Sequence, residues 1–158
     1  MKQQLIDTTK QPSITNDLTI ESHDTSQGQI DLTEIGLYLD EEQKDGKYIE
    51  GNKLREKLKS QPVLNACVLD YLLKHSDLIP DDWKGKYVYF WGTIYRNSAG
   101  RLYVRYLFWN GVRWNENYSW LGIDWLSFDP AAVRDSKLFL GSLPDILTIN
   151  GIKYQQIK

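Results

Sequence analysis

The segment from Trp83 to Phe128 constrains the fold most strongly, because it combines dense aromatic residues with a two-residue period. All six tryptophans and six of the ten tyrosines lie in it. Such alternation predicts strands, which we place at residues 86–96, 101–109 and 112–121. The Asn110–Gly111 pair favours a two-residue type I′ turn, and the sequence NSAG at 97–100 suits a type I turn closed by glycine. Three consecutive antiparallel strands are therefore expected.

These turns also predict the register, and the register sorts the side chains between two faces. A two-residue turn places Trp109 opposite Val112 and Arg105 opposite Glu116. The NSAG turn places Tyr95 opposite Tyr103. One face then carries mostly aliphatic residues, on which helices can pack: Val88, Phe90, Ile94, Leu102, Val104, Tyr106 and Phe108. The other face carries aromatic residues around the Arg105–Glu116 pair: Tyr89, Trp91, Tyr95, Tyr103, Trp109, Trp114, Tyr118 and Trp120.

Helices are predicted on both sides of this sheet in the sequence. A capping box at Asp31 and Glu34 favours a helix reaching Leu39, and Asn52 can cap a second helix that ends before Pro62. The clearest helix follows, because its apolar residues recur at helical spacing. They are Leu64, Cys67, Val68, Tyr71 and Leu72.

The two ends of the chain differ in composition. Residues 1–28 are polar without a clear period, which predicts a flexible tail, and residues 29–158 are expected to form one domain. Asp129–Pro130 is typical of the start of a short helix, with Gly141 at its end. Asn150–Gly151 predicts a terminal hairpin with Ile149 opposite Ile152. The expected fold class is α+β: N-terminal helices packed on an antiparallel β-meander, then a short helix and a C-terminal β-hairpin.

The composition disfavours several classes of protein. A net charge of −2 argues against bulk electrostatic binding of nucleic acid. Cys67 is the only cysteine, so an internal disulfide is excluded, and its position on the apolar stripe favours a buried side chain. No stretch reaches the roughly 18 apolar residues expected of a membrane span, and the N-terminus does not resemble a signal peptide. We therefore expect a cytoplasmic protein that does not contact membranes.

Motifs for catalysis or cofactor binding are missing from the sequence. It contains no glycine-rich phosphate loop, no zinc-binding spacing and no nucleophile elbow, so no cofactor or metal is expected. Pairing of Cys67 with His75 would require an exposed thiol, and His23 falls in the predicted tail. An enzyme with an irregular site near Glu116 remains an alternative, with Asp124 and Asp129 as the other nearby acids.

The aromatic face has two interpretations: a second core covered by residues 29–60, or an exposed platform. The platform predicts a non-enzymatic binding module for a protein or a carbohydrate, since Tyr and Trp suit interfaces. Self-association of a homodimer through the same face is the alternative. Single-stranded nucleic acid could stack there, but the charge balance makes it the less favoured partner. The candidate binding residues are Trp91, Tyr103, Arg105, Trp109, Trp114 and Glu116.

One run of the sequence resembles a known group of proteins. Its recurring pieces are LNA from Leu64, LIP from Leu78, WKG from Trp83 and FWGTIYR from Phe90, followed by an aromatic strand. These pieces resemble a group of short uncharacterised (hypothetical) bacterial proteins over roughly residues 36–133. The resemblance implies a bacterial or phage-related origin and no activity.

Overall fold

The computed structural model describes residues 5–15 and 17–135, and the backbone of Ile146–Ile149 and Ile152–Gln155. The protein is α+β and rich in antiparallel sheet. The described residues form two α-helices, α1 (Gly51–Lys57) and α2 (Ala66–Lys74). The strands are β1 (Leu5–Asp7), β2 (Leu18–His23), β3 (Gln29–Asp31), β4 (Ile35–Tyr38), β5 (Ile49–Glu50), β6 (Val88–Tyr89), β7 (Thr93–Asn97), β8 (Leu102–Trp109), β9 (Trp114–Trp120), β10 (Asp124–Trp125), β11 (Ala131–Arg134), β12 (Ile146–Ile149) and β13 (Ile152–Gln155).

The main sheet has seven strands, and β8 lies at its centre. The order is β2-β7-β8-β6-β11-β4, and β9 pairs with the other side of β8. The consecutive strands β7, β8 and β9 form the predicted antiparallel meander. Among the described strands of this sheet, only the β6–β11 pair is parallel. Three small pairs of the described strands, β1–β3, β5–β10 and β12–β13, lie outside it.

The predicted register is correct for one pair of meander strands and wrong for the other. Tyr95 lies opposite Tyr103, as the NSAG turn predicts. Trp109, however, lies opposite Trp114 and not Val112. The side chain of Asn110 accepts hydrogen bonds from the backbone N–H groups of Val112 and Arg113, which closes a four-residue loop instead of a two-residue turn. The shift is two residues, so each side chain stays on its predicted face but gains a new partner.

The predicted strand 86–96 is broken into β6 and β7, which changes the faces of its first half. Val88 lies opposite Leu107, so the pairing with β8 shifts by three residues between β7 and β6. Because side chains alternate between the faces along a strand, a shift of an odd number of residues moves each side chain to the opposite face of the sheet. Val88 and Phe90 therefore join the face of Leu107, while Tyr89 and Trp91 join the face of Val104 and Tyr106.

The break is fixed at Gly92, where the backbone touches the start of α2. The Gly92 N–H donates to the carbonyl of Leu64 at 2.9 Å, and its carbonyl accepts from the N–H of Asp24 at 2.7 Å. A Cβ atom at Gly92 would lie 2.8 Å from the backbone N and Cα of Asn65. Because no side chain fits this approach, glycine is needed to hold α2 against the strand break.

The predicted helix at residues 64–75 is confirmed as α2, which Asn65 caps. The helix predicted from Asp31 is wrong, and the first α-helix begins only at Gly51. The capping box at Asp31 does form, but it caps a 3₁₀ turn that β4 follows directly. Strand β4 pairs with β11 and buries Ile35, so tertiary pairing overrides the local helix signal. Glu50, not Asn52, caps α1.

Strands also replace predicted irregular or helical structure near both ends. Strands β1 and β2 lie in the segment expected to be a flexible tail, and Ile6 is buried. The boundary of a single domain at residues 29–158 stays a prediction. After Pro130 the chain forms β11 rather than a helix, and residues 136–141 of that predicted helix lie outside the described residues. The terminal hairpin is confirmed, with Ile149 opposite Ile152.

Two hydrophobic cores cover the two faces of the main sheet. The core beneath α2 includes Ile6, Ile30, Leu64, Val68, Leu72, Val88, Phe90 and Leu107. The core beneath α1 and β10 includes Leu54, Leu58, Tyr89, Trp91, Ile94, Val104, Leu121 and Trp125. The aromatic-rich segment therefore contributes largely to buried structure on both faces, and only parts of it reach the surface.

We expect Gly92→Ala to destabilise the fold by more than about 3 kcal/mol, because the added Cβ would collide with helix backbone that cannot move aside. Gly100→Ala is the control: it has open space, and its φ of +83° should cost only about 1 kcal/mol. Urea unfolding measures both. Equal losses for the two variants would contradict the proposed role of the contact between Gly92 and Asn65.

Candidate functional site

The structure brings five of the six predicted site residues onto one face and moves the sixth away. Arg105, Glu116, Tyr103, Trp109 and Trp114 share the face that α2 partly covers. Because of the strand break, Trp91 lies on the opposite face. There it is 4% exposed, and its ring centre lies 5.2 Å from that of Trp125. Its assignment to the aromatic platform is therefore corrected: Trp91 belongs to the core beneath α1.

Arg105 is the buried centre of this face, with 1% of its surface exposed. Its guanidinium pairs with Asp70 of α2 at 3.0 Å and contacts the Glu116 carboxylate of β9. It also donates to the Tyr95 hydroxyl at 3.4 Å and lies 5.7 Å from the ring centre of Tyr118. These groups come from α2, β7 and β9, so a single cation connects the helix to two of the strands that pair with β8.

The predicted Arg105–Glu116 pair exists, but its geometry differs from the prediction. Arg105 lies directly opposite Tyr118, and Glu116 lies opposite Leu107. The two charges meet across the diagonal, which remains within reach of long side chains. The Glu116 carboxylate is partly shielded from water, since its side chain is 27% exposed. The error of two residues in the register preserved the face and therefore the contact.

The two tryptophans beside the β8–β9 loop form a half-buried cluster. The rings of Trp109 and Trp114 meet edge to face at 5.5 Å, and the Lys84 ammonium lies 4.2 Å from the Trp109 ring centre. Tyr103 is also half-buried, and its hydroxyl accepts a hydrogen bond from the Asn97 amide at 3.3 Å. These three predicted site residues thus line the margin of the face rather than an open platform.

A more exposed group of aromatic rings lies on the other face, where the sequence did not predict a site. We call it the aromatic patch and define it as Tyr87, Tyr106, Phe108 and Phe128. Tyr87 is 40% exposed and Phe128 is 46% exposed. Tyr87 contacts all three other rings, at centroid distances of 5.7 Å, 6.1 Å and 6.2 Å. Asn115 and Asn117 of β9 lie opposite Phe108 and Tyr106, so amide groups border the patch.

Only part of the patch was detectable from the sequence. Tyr106 and Phe108 alternate along β8, but their face was expected to lie beneath helices. Tyr87 precedes β6 and Phe128 lies in a loop, and a backbone hydrogen bond of 2.8 Å from Tyr87 N–H to Phe128 O brings them together. This contact joins residues that are distant in sequence, so no local pattern indicates it.

The N-terminal segment crosses the start of α2 and contacts the Arg105 group. We call residues 8–13 the strap. The Ser13 N–H donates to Asp70 at 2.8 Å, and the Tyr95 hydroxyl donates to the Ser13 carbonyl at 3.1 Å. Burial raises the pKa of Tyr95 to about 12, which keeps its hydroxyl protonated and able to donate. The strap therefore closes one side of the buried Arg105 site.

The described residues contain no cluster of three His, Cys, Asp or Glu side chains suited to a metal ion. Within the same part of the chain, no helix has the length and apolar character required to cross a membrane. Comparison of the sequence and structure with protein families, curated proteins and solved structures found no match. The site must therefore be interpreted from its own geometry.

We expect Arg105→Met and Glu116→Gln to show a coupling of about 1–3 kcal/mol in a double-mutant cycle. The reason is that each single variant leaves a shielded polar group without its partner. Urea unfolding at low and high salt measures the coupling, which should change little with salt because Arg105 is buried.

The exposed pair Lys59–Glu56 is the control, with side chains 67% and 68% exposed. Its coupling should stay below about 0.5 kcal/mol and weaken in salt. A coupling at Arg105–Glu116 that is as small and as salt-sensitive as the control would show that the diagonal contact contributes nothing specific.

Proposed function

We propose that the protein is a non-enzymatic binding module, and that its partner docks on the aromatic patch. The supporting observation is the exposure of Tyr87 and Phe128 within a continuous group of four rings. Aromatic side chains present large rigid areas, and they are enriched where protein surfaces bind partners. Exposed apolar patches of this kind mark interaction sites more often than isolated exposed residues do.

A polypeptide is the partner that the chemistry of the patch favours. Two of its four rings are phenylalanines, which offer no hydroxyl to a sugar. The bordering Asn115 and Asn117 provide amide groups that can bond a peptide backbone. This combination of an apolar centre with a polar rim is typical of protein interfaces. A carbohydrate partner, the other class expected from the sequence, becomes an outcome of the test.

The test selects binders from a displayed peptide library on the full-length protein and measures their affinity by calorimetry. We expect Tyr87→Ala and Phe128→Ala each to weaken binding of the selected peptides at least about tenfold, as truncation of central interface rings does. Tyr48→Ala is the matched control, because Tyr48 is 63% exposed and takes no part in the ring contacts that define the patch. Its binding should equal that of the unaltered protein.

Three results would contradict the proposal. Peptides that bind equally well to the Tyr87→Ala variant would place the binding surface elsewhere. Failure to select any binder, together with heat release on titration with soluble oligosaccharides, would favour a carbohydrate. Absence of binding to both classes of ligand would remove the binding-module interpretation at this patch.

Self-association is a second candidate, and strand β9 supports it. Among the described residues, β9 pairs only with β8, so its outer edge has no partner strand. In an antiparallel pair, every second residue directs its backbone N–H and C=O away from the neighbouring strand. Trp114 and Glu116 are such residues of β9, so a second strand could form hydrogen bonds with them. The side chain of Asn117 already accepts the N–H of Tyr118, which partly blocks the edge.

Light scattering over a range of concentrations tests this candidate. A dimer formed through the edge of β9 should dissociate on Trp114→Pro, because proline removes the outward N–H without touching the bonds to β8. Trp114→Ala is the control, because it removes the same indole but keeps the outward N–H, so its dimer should persist. A monomer at all concentrations would exclude self-association through this edge.

A further inference from the structure

A thiol and an imidazole meet at the first turn of α2, away from the aromatic patch. Cys67 Sγ lies 3.8 Å from Nε2 of His23, which ends strand β2. Nδ1 of His23 lies 2.8 Å from the hydroxyl oxygen of Thr93, its direct partner on β7. A nucleophile within reach of a base, with the base oriented by a third group, is the arrangement of an activated nucleophile.

The surroundings of Cys67 suit this role. Cys67 is the second residue of α2, and the partial positive charge at the start of a helix favours a thiolate. Beside His23 opens a cavity of about 340 Å³, which Asp24, Trp91, Gly92 and Arg55 also line. The imidazole of His23 therefore contacts the thiol and also lines a cavity that can hold a small molecule.

The strap holds this pair inactive in the present arrangement. The carbonyl oxygen of Lys10 lies 2.8 Å from His23 Nε2 and 3.0 Å from Cys67 Sγ. A carbonyl only accepts hydrogen bonds, so Nε2 must carry a proton. A protonated Nε2 cannot take the thiol proton. The carbonyl oxygen of Lys10 thus accepts hydrogen bonds from both the imidazole of His23 and the thiol of Cys67.

The charge state of the thiol agrees with this geometry. Burial, and then the negative charges of Asp70 and Asp7, raise the pKa of Cys67 to about 11. The thiol is therefore protonated at neutral pH while the strap lies over it. Removal of the strap would expose the sulfur to water and so reduce the effect of burial, which contributes most to the raised pKa.

Few bonds hold the strap in place. Apart from Lys10, its contacts with the region around α2 are the Asn65 amide to the Thr8 carbonyl at 2.9 Å and the two bonds at Ser13. Thr8 anchors the start of the strap, because it is fully buried and its N–H donates to the Gly28 carbonyl at 2.9 Å. Beyond Thr8, the side chain of Pro12 is buried, whereas those of Thr9, Lys10, Gln11 and Ser13 are exposed. A segment fixed by a few hydrogen bonds can open locally without global unfolding.

We propose that Cys67, His23 and Thr93 form a nucleophilic thiol site for acyl compounds, which the strap closes. When the strap lifts, Nδ1–H bonds to the Thr93 oxygen and Nε2 becomes free to accept the thiol proton. The sulfur then attacks the acyl carbon to form a thioester, and the bond to the leaving group breaks with its electron pair. The imidazolium can return its proton to that leaving group.

The test uses p-nitrophenyl acetate as the acyl probe and the full-length protein. Because Cys67 is the only cysteine, acetylation of one peptide, followed by mass spectrometry, measures the site, and Cys67→Ser gives the background. Ser13→Pro removes the N–H that bonds Asp70, and Ser13→Ala keeps it. We expect the proline variant to acetylate about 10- to 100-fold faster than the alanine variant, which should match the unaltered protein.

His23→Gln in the Ser13→Pro background separates a chemical role from a structural one. We expect the substitution to slow acetylation about 100-fold and to remove the acidic inflection from the pH profile of the rate. If acetylation keeps the same rate and pH profile without His23, the histidine is not the base and the proposal fails.

A second measurement decides the matter if the proline variant does not fold, as judged by circular dichroism. Acetylation of the unaltered protein is then followed in urea below its unfolding transition. A rate that is insensitive to urea indicates local opening of the strap and supports the proposal. A rate that rises in parallel with global unfolding shows that Cys67 is an inert buried residue, and overturns it.

Discussion

The buried guanidinium of Arg105 is the interaction on which the rest of the structure depends. A cation removed from water is tolerated only when several groups compensate its lost hydration. Here Asp70 comes from α2, Tyr95 from β7 and Glu116 from β9. For all three groups to reach Arg105, α2 must pack on this face of the sheet and β9 must place Glu116 on the same face as Arg105.

The same group of residues also holds the strap. Asp70 pairs with Arg105 and accepts the N–H of Ser13, while Tyr95 donates to the Ser13 carbonyl. The strap in turn covers Cys67 and His23 through Lys10. The buried charge and the thiol site are thereby physically linked, since both depend on one short segment that crosses the start of α2.

The break between β6 and β7 decides how the aromatic residues are used. It moves Tyr89 and Trp91 into the core around Trp125, and it brings Val88 and Phe90 beneath α2. The two faces therefore share the aromatic residues, and neither becomes a broad open platform. What remains exposed is the aromatic patch and Trp120, which is 41% exposed, together with the half-buried pair Trp109 and Trp114.

The sequence determined the features that depend on neighbouring residues. The helix α2, the turn that sets Tyr95 opposite Tyr103, and the hairpin that sets Ile149 opposite Ile152 follow from periodicity and turn chemistry. The contact between Arg105 and Glu116 was also predictable, because an error of two residues in register leaves each side chain on the same face of the sheet. The capping box at Asp31 was correctly recognised, although a strand follows it instead of a helix.

The tertiary structure decided what depends on residues far apart in the sequence. Strands β4 and β11 form because they pair with each other across about a hundred residues, against local signals for helices. The break at Gly92 arises from its contact with Leu64, and the aromatic patch from the contact between Tyr87 and Phe128. His23, assigned by composition to a tail, reaches Cys67 because β2 pairs with β7. Each of these contacts gains its stability from packing and backbone pairing that no local window of sequence contains.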